Sequence, residues 1–312
     1  MTNQPFLQEV KNDSGLNNLK STQDWLKENK IFIELKLEEH GAIIFKDLPV
    51  KTAEDFDQFV STFNYDTFTY EESLSNAVRI NKTDKVFTAN EAPREVEIFL
   101  HHEMAQTPTY PKNIFFFCKS ASETGGETPL CRSDQLYEAL LKADKALVES
   151  FEKFGVIYNS IMSSGDELIS GQGRSWQKTL GVSSKNDAEA KLSKLGYSWN
   201  WIEDDNLSVT TKTLQATKEL GNGQKSFFNQ VIAASLGWKK NSENQIAPVR
   251  FGNGEEIKES YIELISELAQ SLTLLRSWQD HDILLIDNYR VMHGRKPFAG
   301  NKNREVLVSL TN

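Results

Sequence analysis

Cysteine is scarce in this 312-residue chain, which holds only Cys118 and Cys131. Two thiols cannot staple a disulfide-dense scaffold, nor build a four-thiolate zinc or iron–sulfur site. Histidine is limited to five residues. Acidic residues outnumber basic ones, 44 to 35, for a formal net charge of −9. The chain therefore lacks the basic footprint of a nucleic-acid binder. Its long apolar stretches, such as Ile114 to Cys118, fall far short of the ~20 residues that a membrane span requires. The opening segment, MTNQPFLQEVKNDSG, has no basic stretch followed by an apolar one, so no signal peptide is expected. These absences predict a cytoplasmic protein with no membrane and no nucleic-acid partner.

What is present is ample material for a core. The apolar share, 38%, is too high for a disordered chain. Ser21 to Glu39 reads as helical, with Ile31-Phe32-Ile33 as the place where it could break. Thr52 to Phe63 reads as an amphipathic helix with Thr52 as its N-cap, because Phe56, Phe59, Val60 and Phe63 share a face. Helical spacing also predicts single helices over Gln135 to Phe154 and Ile257 to Leu275. Strands are predicted at 40–45, Val86–Thr88, Asn113–Cys118, Phe227–Phe228, Asp282–Ile286 and Glu305–Leu310. Phe115-Phe116-Phe117 and Ile283-Leu284-Leu285-Ile286 do not alternate, so both of their faces should be buried. Strands and helices do not alternate regularly, which argues against a doubly wound parallel sheet. The expected organisation is one domain over residues 1–312, with an N-terminal helical region and a long insertion around 160–225.

The five histidines make the search for chemistry short: His40, His101, His102, His281 and His293. On an extended segment, His101 and Glu103 share a face and His102 looks the other way. One imidazole and one carboxylate at that spacing can bind a metal from two adjacent corners. His293, which follows the apolar Asp282–Ile286 run, is the candidate third ligand. Two histidines and a carboxylate on one face leave the opposite positions open, an arrangement suited to non-haem Fe(II) and oxygen. The spacing alone leaves a purely structural role for these histidines open. Thr128 follows the Gly125-Gly126 turn, and Arg304 opens the last strand-like segment. A guanidinium can grip a carboxylate through two parallel hydrogen bonds, and a nearby hydroxyl can add a third. A surface arginine at the chain end is the competing reading.

Several motifs occur in order: His101-His102-Glu103-Met104, Gly125-Gly126-Glu127-Thr128-Pro129, and Asp282 to Asn288 followed by His293-Gly294-Arg295 and Arg304. Together they resemble the taurine dioxygenase-like Fe(II)/2-oxoglutarate-dependent oxygenases, especially the clavaminate synthase-like branch. Phe87 to Pro93 and Phe228-Asn229-Gln230 with Gly237-Trp238 resemble that branch too. The resemblance runs from about Val78 to the C-terminus.

It implies a mainly β protein with flanking helices around a double-stranded β-helix, the jelly-roll core shared with the cupins. It implies Fe(II) held by His101, Glu103 and His293. It also implies 2-oxoglutarate gripped by Arg304 and Thr128, with O₂ as oxidant and succinate and CO₂ as products. Related halogenases replace the carboxylate ligand by Gly or Ala; Glu103 keeps it, so hydroxylation is the default expectation, with desaturation and cyclisation, which start from the same hydrogen abstraction, as alternatives. Taurine dioxygenase itself binds sulfonate with a second arginine, four residues after the co-substrate arginine, where this chain has Val308. The expected substrate is instead a small amino acid or amino-acid-like molecule, with Arg79, Asn90 and Glu97 as candidate pocket residues. Ser163 to Gly173 is a candidate lid. Two rival readings are a non-catalytic jelly-roll binding protein and a zinc hydrolase using the same triad.

Overall fold

Phe115 and Phe117 point to one side of their strand, and Ile114, Phe116 and Cys118 to the other. Both sides are buried, which is why the run shows no alternation. The computed structural model describes residues 6–68, 74–75, 77–89, 91–166, 173–221, 223–238 and 247–312. The Asn113–Ser120 strand lies inside a six-stranded sheet. Its order is Leu7–Lys11, Ala42–Lys46, Ile283–Asp287, Asn113–Ser120, Glu305–Thr311 and Phe87–Thr88. The first pair is parallel, joined by the helix Leu19–His40, and the remaining pairs are antiparallel. Phe115, Phe117, Ile43 and Leu285 are covered by Leu26, Ile33, Phe56 and Phe59 of the two N-terminal helices. Each such side chain contributes about 1.5–3 kcal/mol when fully buried.

The opposite face looks onto a four-stranded sheet ordered Thr273–Arg276, Thr128–Arg132, Val291–Arg295 and Ile98–His101. Ile44, Ile114, Phe116 and Leu284 from the large sheet meet Leu130 and Val291 from the small one. Two facing, mainly antiparallel sheets with a shared interior are the expected jelly-roll core. The outer side of the small sheet, at Cys131 and Met292, is sealed by the helices Ser133–Ala143, Lys145–Phe154, Val231–Gly237 and Glu259–Ser271. Residues Trp176 to Val209 form a further apolar cluster beside the strand Val156–Met162. No helix among the described residues is long and apolar enough to cross a membrane.

Most predicted elements are found, with three differences. The Ser21–Glu39 helix runs unbroken over Leu19–His40, with Ile33 buried and Ile31 exposed. The single helix expected over 135–154 is two helices that part at Asp144. Asp144 leaves helical geometry, and its carboxylate accepts the Leu147 N–H at 2.9 Å. Leucine periodicity passes over this break because both pieces bury their leucines in the same cluster. We expect Asp144→Ala to lower stability by about 1 kcal/mol in denaturant unfolding, the usual cost of a lost N-cap. The helix expected over 257–275 stops at Ser271, and Thr273–Arg276 is instead an edge strand. Its leucines, Leu274 and Leu275, are exposed and had counted towards the helical pattern. Phe227–Phe228 is not a strand: the strand is Gln224–Ser226, and the two buried phenylalanines follow it in an irregular link. His281 takes the positive φ of 74° that a turn before a strand calls for.

Candidate active site

The small sheet brings the two motif regions together. His293 lies directly opposite His101 in the antiparallel pair formed by Val291–Arg295 and Ile98–His101. Gly294 makes this approach feasible: a Cβ there would stand 2.4 Å from the Ile98 carbonyl oxygen. Alternation within Val291–Arg295 sends Val291 and His293 inward and Met292 outward. His293 rests on Phe116 of the large sheet, with ring centroids 5.2 Å apart.

The strand ends at His101, so Glu103 is placed by a turn and not by strand alternation as the sequence predicted. Met104, at φ 59°, completes that turn. Its anchor is Asn288, which is fully buried. Asn288 Oδ1 accepts the Glu103 N–H at 2.8 Å. Its amide nitrogen donates to the carbonyls of Glu103 at 3.1 Å and Pro111 at 2.8 Å. His102 turns away, as expected. Its Nδ1 lies 2.5 Å from the Asn288 carbonyl oxygen, and its ring packs on Phe228 at 4.6 Å.

His101, Glu103 and His293 thus offer ligand atoms that all lie within 4.8 Å of one another. Glu103 Oε2 is 3.5 Å from His293 Nε2 and 3.9 Å from His101 Nε2. His101 Nδ1 is 2.8 Å from the Phe99 carbonyl oxygen, to which it donates, so Nε2 carries the lone pair. Burial, with help from neighbouring His293, pushes His101 down to about 4. Burial alone would raise Glu103, but Arg79 and the two histidines overcome it and hold the carboxyl well below the usual range. A neutral His101 and an ionised Glu103 are the protonation states that a metal ion requires. The donor set fits a divalent cation.

Thr128 and Arg304 lie at the Gly125-Gly126 turn. Thr128 is buried, and its Oγ1 accepts the Trp278 indole N–H at 2.9 Å. Its own hydroxyl proton is thereby directed elsewhere. Arg304 Nη2 donates to the Gly126 carbonyl at 3.2 Å, and its guanidinium lies over the Phe298 ring at 5.3 Å. Gly126 must lack a side chain, because a Cβ would come within 2.9 Å of Arg304 Nε. That Nε is buried and makes no hydrogen bond. Among the described residues no carboxylate pairs with Arg304. Burial lowers its pKa, as expected of a cation out of water.

The candidate pocket residues separate. Arg79 reaches the centre, and its Nη2 donates to Glu103 Oε1 at 3.0 Å. Glu97 is ion-paired with Lys296. Asn90 and residues 167–172 of the candidate lid lie outside the described residues. Val308 is fully buried in the large sheet. Sequence reasoning missed two residues, Asn288 and Trp278. Asn288 was visible as the polar end of an apolar run; nothing local to Trp278 signals its contact with Thr128.

The profile of the family described as "Taurine catabolism dioxygenase TauD, TfdA family" matches residues 8–310. The chain belongs to this family. It is 33% identical over 286 residues to a clavaminate synthase-like protein of Arabidopsis thaliana, covering 91% of this chain and 86% of the relative. It is 27% identical over 289 residues to the dapdiamide synthesis protein DdaC of Enterobacter agglomerans, covering 88% and 83%. In three dimensions it resembles AAD-2 in complex with Mn(II) and N-oxalylglycine. That match has a TM-score of 0.51 at 14% identity and covers 91% of this chain and 87% of the other. The structural likeness shows the shared jelly-roll fold. As a member of the TauD/TfdA family, this protein is an Fe(II)/2-oxoglutarate-dependent dioxygenase that consumes O₂ and acts on a small molecule.

Proposed function

We propose that His101, Glu103 and His293 hold the iron, that Arg304 and Thr128 hold 2-oxoglutarate, and that the enzyme hydroxylates a C–H bond of a small amino acid or amino-acid-like molecule. One observation carries the co-substrate assignment. Arg304 has a buried Nε without a hydrogen bond and no carboxylate partner among the described residues, and it lies against the Gly125-Gly126 turn that leads to Thr128. A dicarboxylate supplies the missing partner.

Iron, 2-oxoglutarate and O₂ together supply an oxidant strong enough for an unactivated C–H bond, yielding succinate and CO₂. The protein's part is placement. Arg304 donates to the distal carboxylate, and its planar fork fixes the orientation of the acid. Thr128 adds a donor because Trp278 already occupies its oxygen. Phe116 closes the floor beneath His293 and keeps water from that side.

Two features support an amino-acid-like substrate. The buried Val308 provides no second cation for a sulfonate. DdaC, named for dapdiamide synthesis, aligns over most of this chain. Glu97 gives little support, since Lys296 already pairs with it.

The first test is spectroscopic. Under anaerobic conditions, Fe(II) and 2-oxoglutarate should give a visible charge-transfer band. Correctly folded protein with no such band would refute the site assignment. A panel of amino acids and derivatives, scored by substrate-stimulated succinate release, then tests the substrate class; stimulation by sulfonates alone would overturn it.

A further inference from the structure

The two oxygens of Glu103 face different partners. Oε2 is turned to His293 and His101, at 3.5 and 3.9 Å. Oε1 accepts from Arg79 Nη2 at 3.0 Å. Both side chains are deeply buried, at 9% exposure for Arg79 and 6% for Glu103. The backbone beside Arg79 is pinned to the edge of the large sheet. Thr88 N donates to the Ile80 carbonyl at 2.9 Å, and Ile80 N donates to Thr88 Oγ1 at 3.0 Å. Asn81 bridges to Phe87, and the Arg79 guanidinium lies 5.9 Å from the Phe87 ring centre. The fold therefore delivers this arginine to the carboxylate from a segment at the edge of the large sheet that carries none of the three donors.

We propose that Arg79 is the built-in counter-cation of the metal centre, a positioning residue that neutralises Glu103 while the centre is metal-free and occupies Oε1, so that only Oε2 is offered to the metal. This rests on the metal assignment made above. A buried carboxylate without a counter-charge is strongly unfavourable. With Arg79 in place, the metal-free protein keeps its buried ion pair. Without Arg79, Glu103 loses the guanidinium 3.0 Å from its Oε1, and a metal cation arriving at Oε2 no longer meets that positive charge. Removing the guanidinium must therefore destabilise the metal-free state more than the metal-bound state. By linkage, the same difference tightens metal binding. The carboxylate is also freed to use both oxygens, which would consume a coordination position needed by co-substrate or O₂.

The test uses Mn(II) alone with the full chain, comparing wild type, Arg79→Gln and Arg79→Lys. Thermal unfolding is measured with and without metal, and Mn(II) affinity is measured from the EPR signal of the free ion. For Arg79→Gln we expect a lower metal-free Tm, a larger Mn(II)-induced rise in Tm than in wild type, and a Mn(II) Kd lowered by about tenfold, which corresponds to about 1.4 kcal/mol of linkage. Arg79→Lys, which keeps the charge, should fall nearer wild type in both readouts. An arginine that merely braces the loop would lower the Tm equally with and without metal and leave Kd unchanged. That result, or weaker Mn(II) binding in Arg79→Gln, overturns the proposal. If Arg79→Gln folds only when Mn(II) is present, the proposal is supported. If it stays unfolded with Mn(II), the proposal fails. Wild-type protein that shows no Mn(II)-induced rise in Tm would instead refute the metal assignment itself.

Discussion

Arg304→Ala is expected to raise the 2-oxoglutarate concentration for half-saturation on the order of 10²–10³-fold, while Fe(II) binding changes little. The size follows from the geometry. Among the described residues Arg304 makes one hydrogen bond, to the Gly126 carbonyl, its buried Nε has no partner, and no carboxylate pairs with it. Truncating it leaves a dianion to be buried with the Thr128 hydroxyl as its main donor. The three proposed metal donors come from two strands of the small sheet and the turn after one of them, so they should keep their arrangement. The measurement is an anaerobic titration of the charge-transfer band with 2-oxoglutarate, beside an independent Fe(II) titration. Equal losses in both would mean that Arg304 supports the whole site and is not the clamp.

His101→Ala and His102→Ala should behave in opposite ways. The first removes a donor that faces Glu103 and should weaken Fe(II) binding by more than the ~100-fold that outer partners are typically worth. It should cost little stability, because the side chain lies at a strand end. The second removes a fully buried ring that packs on Phe228 and bonds to the Asn288 carbonyl. That loss should cost about 2–4 kcal/mol of stability, with a modest effect on iron. Fe(II) affinity and unfolding free energy, measured on both variants, separate the roles. If His102→Ala abolished iron binding while His101→Ala kept it, the motif would be in the wrong register.

The site was legible wherever chemistry coincides with rarity. With five histidines in the chain, His101 and His293 could be singled out, and Glu103 followed from its spacing. The fold was legible through the apolar runs at Phe115 and Leu284, since residues buried on both faces cannot alternate. Contacts were not legible. Arg79 is an arginine among many until the edge of the large sheet delivers it to Glu103. Trp278 touches Thr128 across 150 positions of sequence, and nothing local encodes that. Two boundaries failed for a related reason. The leucines near Asp144 and at Leu274 carry a helical rhythm, but the chain is broken by a cap in one case and taken into an edge strand in the other.

Asn288 and His102 meet across 186 positions, so the turn that carries Glu103 is gripped from the far end of the chain. This has a kinetic consequence. The last strands must find the first ones before any three-donor corner exists, and long-range closure of this kind is slow. If His101, Glu103 and His293 hold iron as proposed, a chain still emerging from the ribosome, or one clipped before residue 288, cannot capture it in a reactive geometry. Metal uptake would then serve as a checkpoint on complete folding, and oxygen chemistry would begin only after the protein is whole.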